Sequence, residues 1–70
     1  MAIEKVTLPV ARKIAKMSQK QLADAVGVSE STVINWEKHR SEPTISQAMK
    51  IGAAVGIYYD HIIFLPQDTV

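Results

Sequence analysis

The sequence predicts an all-α fold, a compact bundle of about five short helices. Three observations predict it. Apolar residues recur at helical spacing, as in Leu22, Ala23 and Val26, rather than in strict alternation. A Ser or Thr followed three residues later by Gln occurs at Ser18–Gln21 and again at Thr44–Gln47. Each pair forms a capping box, in which two side chains satisfy two otherwise free N–H groups at a helix start. Gly27 and Gly56 stand where apolar helical runs stop.

Residues 1–7 read as extended or loosely ordered, and the alternation of Val6 and Leu8 allows a short strand beside the chain's end. Thr7 caps a first helix over about Leu8 to Lys16, because Pro9 is tolerated in a first turn. Ser18 starts the second helix, with Leu22, Ala23 and Val26 inward and Ala23 small enough for close approach. Gly27 suits the left-handed position that ends many helices, where a side chain clashes. Val28 fills the gap between helices and Ser29 caps the third, which runs from about Glu30 to Lys38. At about 100° per residue, Val33 and Trp36 face inward, with Glu37 at the edge. Ser31, Asn35 and Lys38 form the opposite stripe, flanked by Thr32 and Ile34.

Two short helices joined by a tight turn, the second with a polar outer stripe, make a helix-turn-helix, which lays its second helix in the DNA major groove. Ser and Asn both donate and accept hydrogen bonds, as reading base edges demands, whereas Lys38 suits a phosphate. Ile34 is apolar and outward, a fit to a thymine methyl. Glu30 has two readings: it accepts from a cytosine amino group, or it complements the positive end of the helix dipole.

Beyond a loop at Arg40–Pro43, the Thr44–Gln47 box opens a fourth helix over Ile45 to Val55. Ile45, Ala48, Ile51 and Val55 give its inward stripe, and Gly56 ends it. A last short helix is expected over about Tyr59 to Phe64, with Ile62 inward and Pro66 stopping it. The ending at Ile62–Leu65 has more apolar side chains than one short helix can bury. Ile63, Phe64 and Leu65, extended by Tyr58 and Tyr59, are therefore expected to form a dimer contact, the competing reading being a tail folded back on its own domain.

Taken together, Arg12, Ser18–Gln19, Leu22–Ala23, Gly27–Ser29, Val33, Trp36–Glu37, Pro43, Ile51 and Val55–Ile57 resemble the Cro/C1-type (XRE family) helix-turn-helix regulators, from about Leu8 to Leu65. The WEK stretch and IIFLP ending look most like short regulators of prophages and mobile elements. The resemblance implies a lambda-repressor-like DNA-binding domain. It implies that Glu30, Ser31, Thr32 and Asn35 read bases, and that Gln19, Lys38, His39 and Arg40 meet the DNA backbone. It also implies that Arg12 and Glu37 form a structural ion pair. Three positions depart from the family: His39 stands where Gly is usual, Ala48 where Leu is usual, and Tyr58 where a small N-cap is usual. A strained turn, a thinner core unless Met49 swings in, and an imperfect last helix are the respective expectations.

Seventy residues make one domain, here 8–65 between a leading segment 1–7 and a tail 66–70. A domain of this size buries only about 60% of its unfolded surface. With no Cys, neither disulfides nor thiolate metal sites brace it, so helix packing must, with or without a partner subunit. The net charge of +1 is small for a DNA binder. Its distribution is more telling: residues 1–35 carry five basic and three acidic side chains, and no Lys or Arg follows Lys50. The basic groups thus belong to the first helices, and the acidic end faces away from DNA.

No apolar run reaches the roughly 18 residues of a membrane span, and MAIEKVTL lacks the apolar stretch of a signal peptide, so a soluble, cytoplasmic protein is expected. Enzymatic chemistry finds no support. GVSES lacks the closing Gly of a nucleophile elbow, Asp60–His61 has no third group, and His39 and His61 have no metal-ligand spacing. No cofactor and no metal are expected. The expected partners are double-stranded DNA and a second copy of the chain, in a sequence-specific regulator of the phage-repressor type. The alternatives are an antitoxin that binds its promoter and a toxin, or an antirepressor whose motif does not read DNA.

Overall fold

The computed structural model describes residues 5–64. Its order is β1 (Val6–Thr7), α1 (Leu8–Ile14), α2 (Gln19–Val26), α3 (Glu30–Glu37), α4 (Ile45–Val55), a 3-10 turn (Tyr59–His61) and β2 (Ile62–Ile63). The fold is therefore mostly helical, with four α-helices in place of about five and a short parallel ribbon added. Leu65 and the tail at 66–70, and most of the leading segment, lie outside the described residues.

Local chemistry sets each helix start. Thr7, Ser18, Ser29 and Thr44 all have extended backbones and accept an N–H from three residues on, at Val10, Gln21, Thr32 and Gln47. Both expected capping boxes are complete, with Gln21 and Gln47 reaching back to the backbone of their caps at 2.8 Å. α1 is shorter than expected, because its chain turns left-handed at Lys16 rather than continuing.

The core sits where α1, α2, α3 and α4 converge. Leu8, Ala11, Leu22, Val33 and Ile51 are at most 2% exposed, and Ala23, Val26, Trp36, Val55 and Ile62 close around them. Each fully buried Leu, Ile or Val contributes about 1.5–3 kcal/mol. α4 departs from its expected stripe. Ala48, Ile51, Gly52 and Val55 face inward, while Ile45 is 74% exposed, because the helix's first turn borders an open groove rather than a covering element. Met49 does not swing in to supplement Ala48; it is exposed. Gly52 is fully packed, and a Cβ there would lie 2.7 Å from the Ile57 carbonyl oxygen and 2.9 Å from the Tyr59 nitrogen. That close approach lets the chain after α4 fold tightly back.

The last expected helix is instead a single 3-10 turn followed by a strand. Tyr58 offers no side-chain cap, and the β-branched pair Ile62–Ile63 finds an extended partner. Val6 aligns with Ile62 and Thr7 with Ile63 in parallel. Ile62 is buried, and Phe64 packs against the core.

Candidate nucleic-acid interface

α2 and α3 are joined by three residues, Gly27–Ser29, with Gly27 left-handed at φ 88°. Val28 half-fills the junction against the core. Val33 and Trp36 are sealed inside, which fixes the rotation of α3 and turns its other side outward. Glu30 and Ser31 are exposed; Thr32, Ile34 and Asn35 are half-buried. Among the described residues, the α3 side chains that hydrogen-bond to protein are Thr32 and Glu37, so Glu30, Ser31 and Asn35 keep their polar groups uncommitted. The Thr32 hydroxyl lies 2.9 Å from that of Ser29, the cap of the same helix.

The end of α3 is pinned. Arg12 Nε donates to Glu37 Oε2 at 2.8 Å and Nη2 to Oε1 at 3.4 Å, while Nη1 donates to the Met17 carbonyl at 2.9 Å. Gln19 Nε2 donates to Glu37 Oε1 at 3.0 Å. One carboxylate thus gathers α1, the start of α2 and the end of α3. The side chains of Arg12 and Glu37 are 13% and 7% exposed, so solvent screens the pair little. Gln19 spends one amide hydrogen on Glu37 and retains its other hydrogen and its carbonyl.

Lys38, His39 and Arg40 follow α3, and all three are exposed. His39 has φ 59°, a left-handed backbone that crowds any side chain, so the strained turn expected there is present. The turn is closed by His39 N–H donating to Trp36 at 3.1 Å and Arg40 N–H to Asn35 at 2.9 Å. The His39 ring places Nδ1 3.4 Å from the Phe64 carbonyl oxygen. Sequence reasoning put Lys16 inside the first helix. It stands instead in the turn before Met17, exposed and left-handed, next to the carbonyl that Arg12 holds. The cue was its place just ahead of the Ser18 cap.

Of the residues expected at a dimer contact, Tyr58 is 65% exposed, whereas Tyr59, Ile63 and Phe64 are half-buried and Leu65 falls outside the described residues. Tyr59, Ile63 and Phe64, together with Ile45, Lys5, Glu42 and Asp60, border an open groove of about 340 Å³. Tyr58 leans on Tyr59, with ring centroids 5.1 Å apart. Among the described residues no group of His, Cys, Asp or Glu is arranged to hold a metal ion, and no helix is long and apolar enough to cross a membrane.

The family model described as "Helix-turn-helix" matches residues 10–62, which takes in α2, α3 and the Arg12–Glu37 pair. A protein of Methanothermobacter thermautotrophicus named as an uncharacterized HTH-type transcriptional regulator is 37% identical over 54 residues, covering 77% of this chain and 78% of that protein.

Proposed function

The chain belongs to the Cro/C1-type helix-turn-helix family, and from that membership we propose that it is a sequence-specific repressor of the phage type, binding duplex DNA as a homodimer in the cytoplasm. At the coarser level it is a DNA-binding transcriptional regulator. In the proposed mode α3 enters the major groove. Glu30, Ser31, Thr32 and Asn35 address base edges there, while Gln19, Lys38, His39 and Arg40 address phosphates.

One observation carries this reading. Ser31 and Asn35 have uncommitted side chains on a helix whose opposite side is sealed by Val33 and Trp36 and whose end is pinned by Arg12, Gln19 and Glu37. Such a helix presents polar groups at fixed positions, which is what direct readout requires. Thr32 has its hydroxyl engaged at the cap, so it has less hydrogen-bonding capacity left for bases than Ser31 or Asn35.

Two recognition helices on adjacent half-sites must lie about 34 Å apart. The molecule's longest extent is 33 Å and it carries one such helix, so a two-fold site calls for two copies side by side. The groove at Ile45, Tyr59, Ile63 and Phe64 supports self-association, since it combines exposed apolar surface with both Lys5 and the acidic Glu42 and Asp60. A two-fold contact sets such opposite charges against each other. A bound pair represses by occupying its site.

Selection of bound sequences from a random duplex library tests the reading. The expected result is a palindrome with half-sites about 10 base pairs apart. A pool that stays unenriched overturns base reading, for a repressor and a promoter-binding antitoxin alike, and leaves the antirepressor alternative.

A further inference from the structure

All four α-helices end in the same way. A residue in the left-handed region follows each: Lys16 at φ 59°, Gly27 at 88°, His39 at 59° and Gly56 at 75°. The next residue's N–H then returns to the carbonyl five positions back, as Met17 to Arg12, Val28 to Ala23, Arg40 to Asn35 and Ile57 to Gly52. At Gly27 and Gly56 this costs little, because no Cβ crowds the neighbouring carbonyl. At Lys16 and His39 the same turn carries that crowding. Residues held in strained backbone concentrate where a side chain has work to do.

The two strained turns share a location. Lys16 precedes Met17, whose carbonyl is held by Arg12; His39 follows α3, whose last residue, Glu37, is held by the same Arg12. Gln19, at the start of α2, joins them through Glu37. Lys16, Gln19 and the Lys38–Arg40 turn therefore flank one ion pair at the edge of the helix-turn-helix. Lys16 is exposed, and the ion pairs among the described residues are Arg12–Glu37 and Lys20–Asp24, so no described carboxylate neutralises it.

We propose that Lys16 is a DNA-backbone contact, a cation placed opposite the Lys38–Arg40 turn across the Arg12–Glu37 pair so that the two turns meet phosphates on either side of Gln19. The proposal rests on the regulator reading above, and extends it to a residue in the turn between α1 and α2. A neutral Gly would end α1 without strain; the lysine instead adds an exposed charge that suits the negative end of α1 and is free to meet a phosphate.

The test measures duplex binding from 50 to 200 mM salt, using a random-sequence duplex, for the parent chain and for K16Q, K16G and K50Q. Lys50 is exposed on α4, which contributes no partner to the ion pair, and serves as the control. K16Q and K16G should each make the plot of log affinity against log salt shallower by about 0.9, the release accompanying one phosphate contact, while K50Q keeps the parental slope. K16G should melt no lower than the parent, because glycine relieves the left-handed backbone. A parental slope for K16Q overturns the proposal, and so does a K16G that melts lower, which makes the lysine structural. If the parent itself binds no duplex in a salt-sensitive way, the regulator reading falls and the proposal with it; a salt-sensitive parent with an unchanged K16Q sinks the proposal alone.

Discussion

Arg12 on α1 and Glu37 at the end of α3 share two hydrogen bonds, at 2.8 and 3.4 Å, in a site almost closed to solvent. A third donor, Gln19, completes the carboxylate's shell. Breaking such a pair strands a charge, so E37A and R12A should each cost about 3–5 kcal/mol in urea denaturation. The double change R12M/E37M should recover much of that loss, since no unpaired charge remains. An E37A loss below about 1 kcal/mol would equate the pair with a screened surface contact.

Asn35 is the sharpest test of base reading. N35A should weaken binding to the selected palindrome by about 1–3 kcal/mol and leave random duplexes almost unaffected. Equal loss on both, in paired titrations at one salt concentration, removes Asn35 from the specificity set.

His39 holds a backbone that suits glycine. H39G should raise stability by up to about 1 kcal/mol, the relief of the left-handed clash exceeding the added entropy of the unfolded chain. For a domain of this size, about 1 kcal/mol moves the melting temperature by roughly 4–8 °C. Calorimetry that shows a lower melting temperature would mean that the His39 contact to the Phe64 carbonyl outweighs the strain.

Gly52 has no room for a methyl group. G52A should destabilise the fold by about 1–3 kcal/mol or more, because both crowded atoms belong to backbone and cannot rotate away. The measurement is a denaturation midpoint at unchanged slope; an unchanged midpoint would mean that the chain after α4 shifts freely.

Ile45 is exposed at the rim of the apolar groove, so I45K should fold like the parent. If the groove joins two copies, I45K should lower the self-association measured by sedimentation and weaken binding to a two-half-site duplex more than to a single half-site. Unaltered sedimentation would move the dimer contact elsewhere.

The helix-turn-helix was legible in the sequence because its determinants are local. Ser18, Gln21, Gly27 and Ser29 act on backbone within a few residues, and Val33 with Trp36 sets the rotation of α3 by spacing alone. The chain's end was less legible because its state depends on a distant partner. Tyr59–Phe64 reads as helix by itself, yet Ile62 and Ile63 extend to meet Val6 and Thr7. Ile45 has the right spacing for the core and fails because no described residue covers the first turn of α4. Gly52 falls outside the inward stripe expected for α4; its role depends on Ile57 and Tyr59 returning over it, which spacing does not encode. Lys16 was hidden by a two-residue error in where α1 stops.

The parallel ribbon also bears on the order of assembly. Pairing Val6 with Ile62 requires closing a loop of nearly the whole described chain, whereas α2 and α3 meet across three residues. Long closures are entropically expensive and come late. The ribbon should therefore be the last part to zip and the first to fray, with amide exchange fastest at Ile63 and slowest at Leu22. Because the His39 ring rests on the carbonyl just beyond β2, fraying at one terminus also frees the turn that follows α3. A loosened ribbon would then be felt at the end of the helix-turn-helix before the core melts.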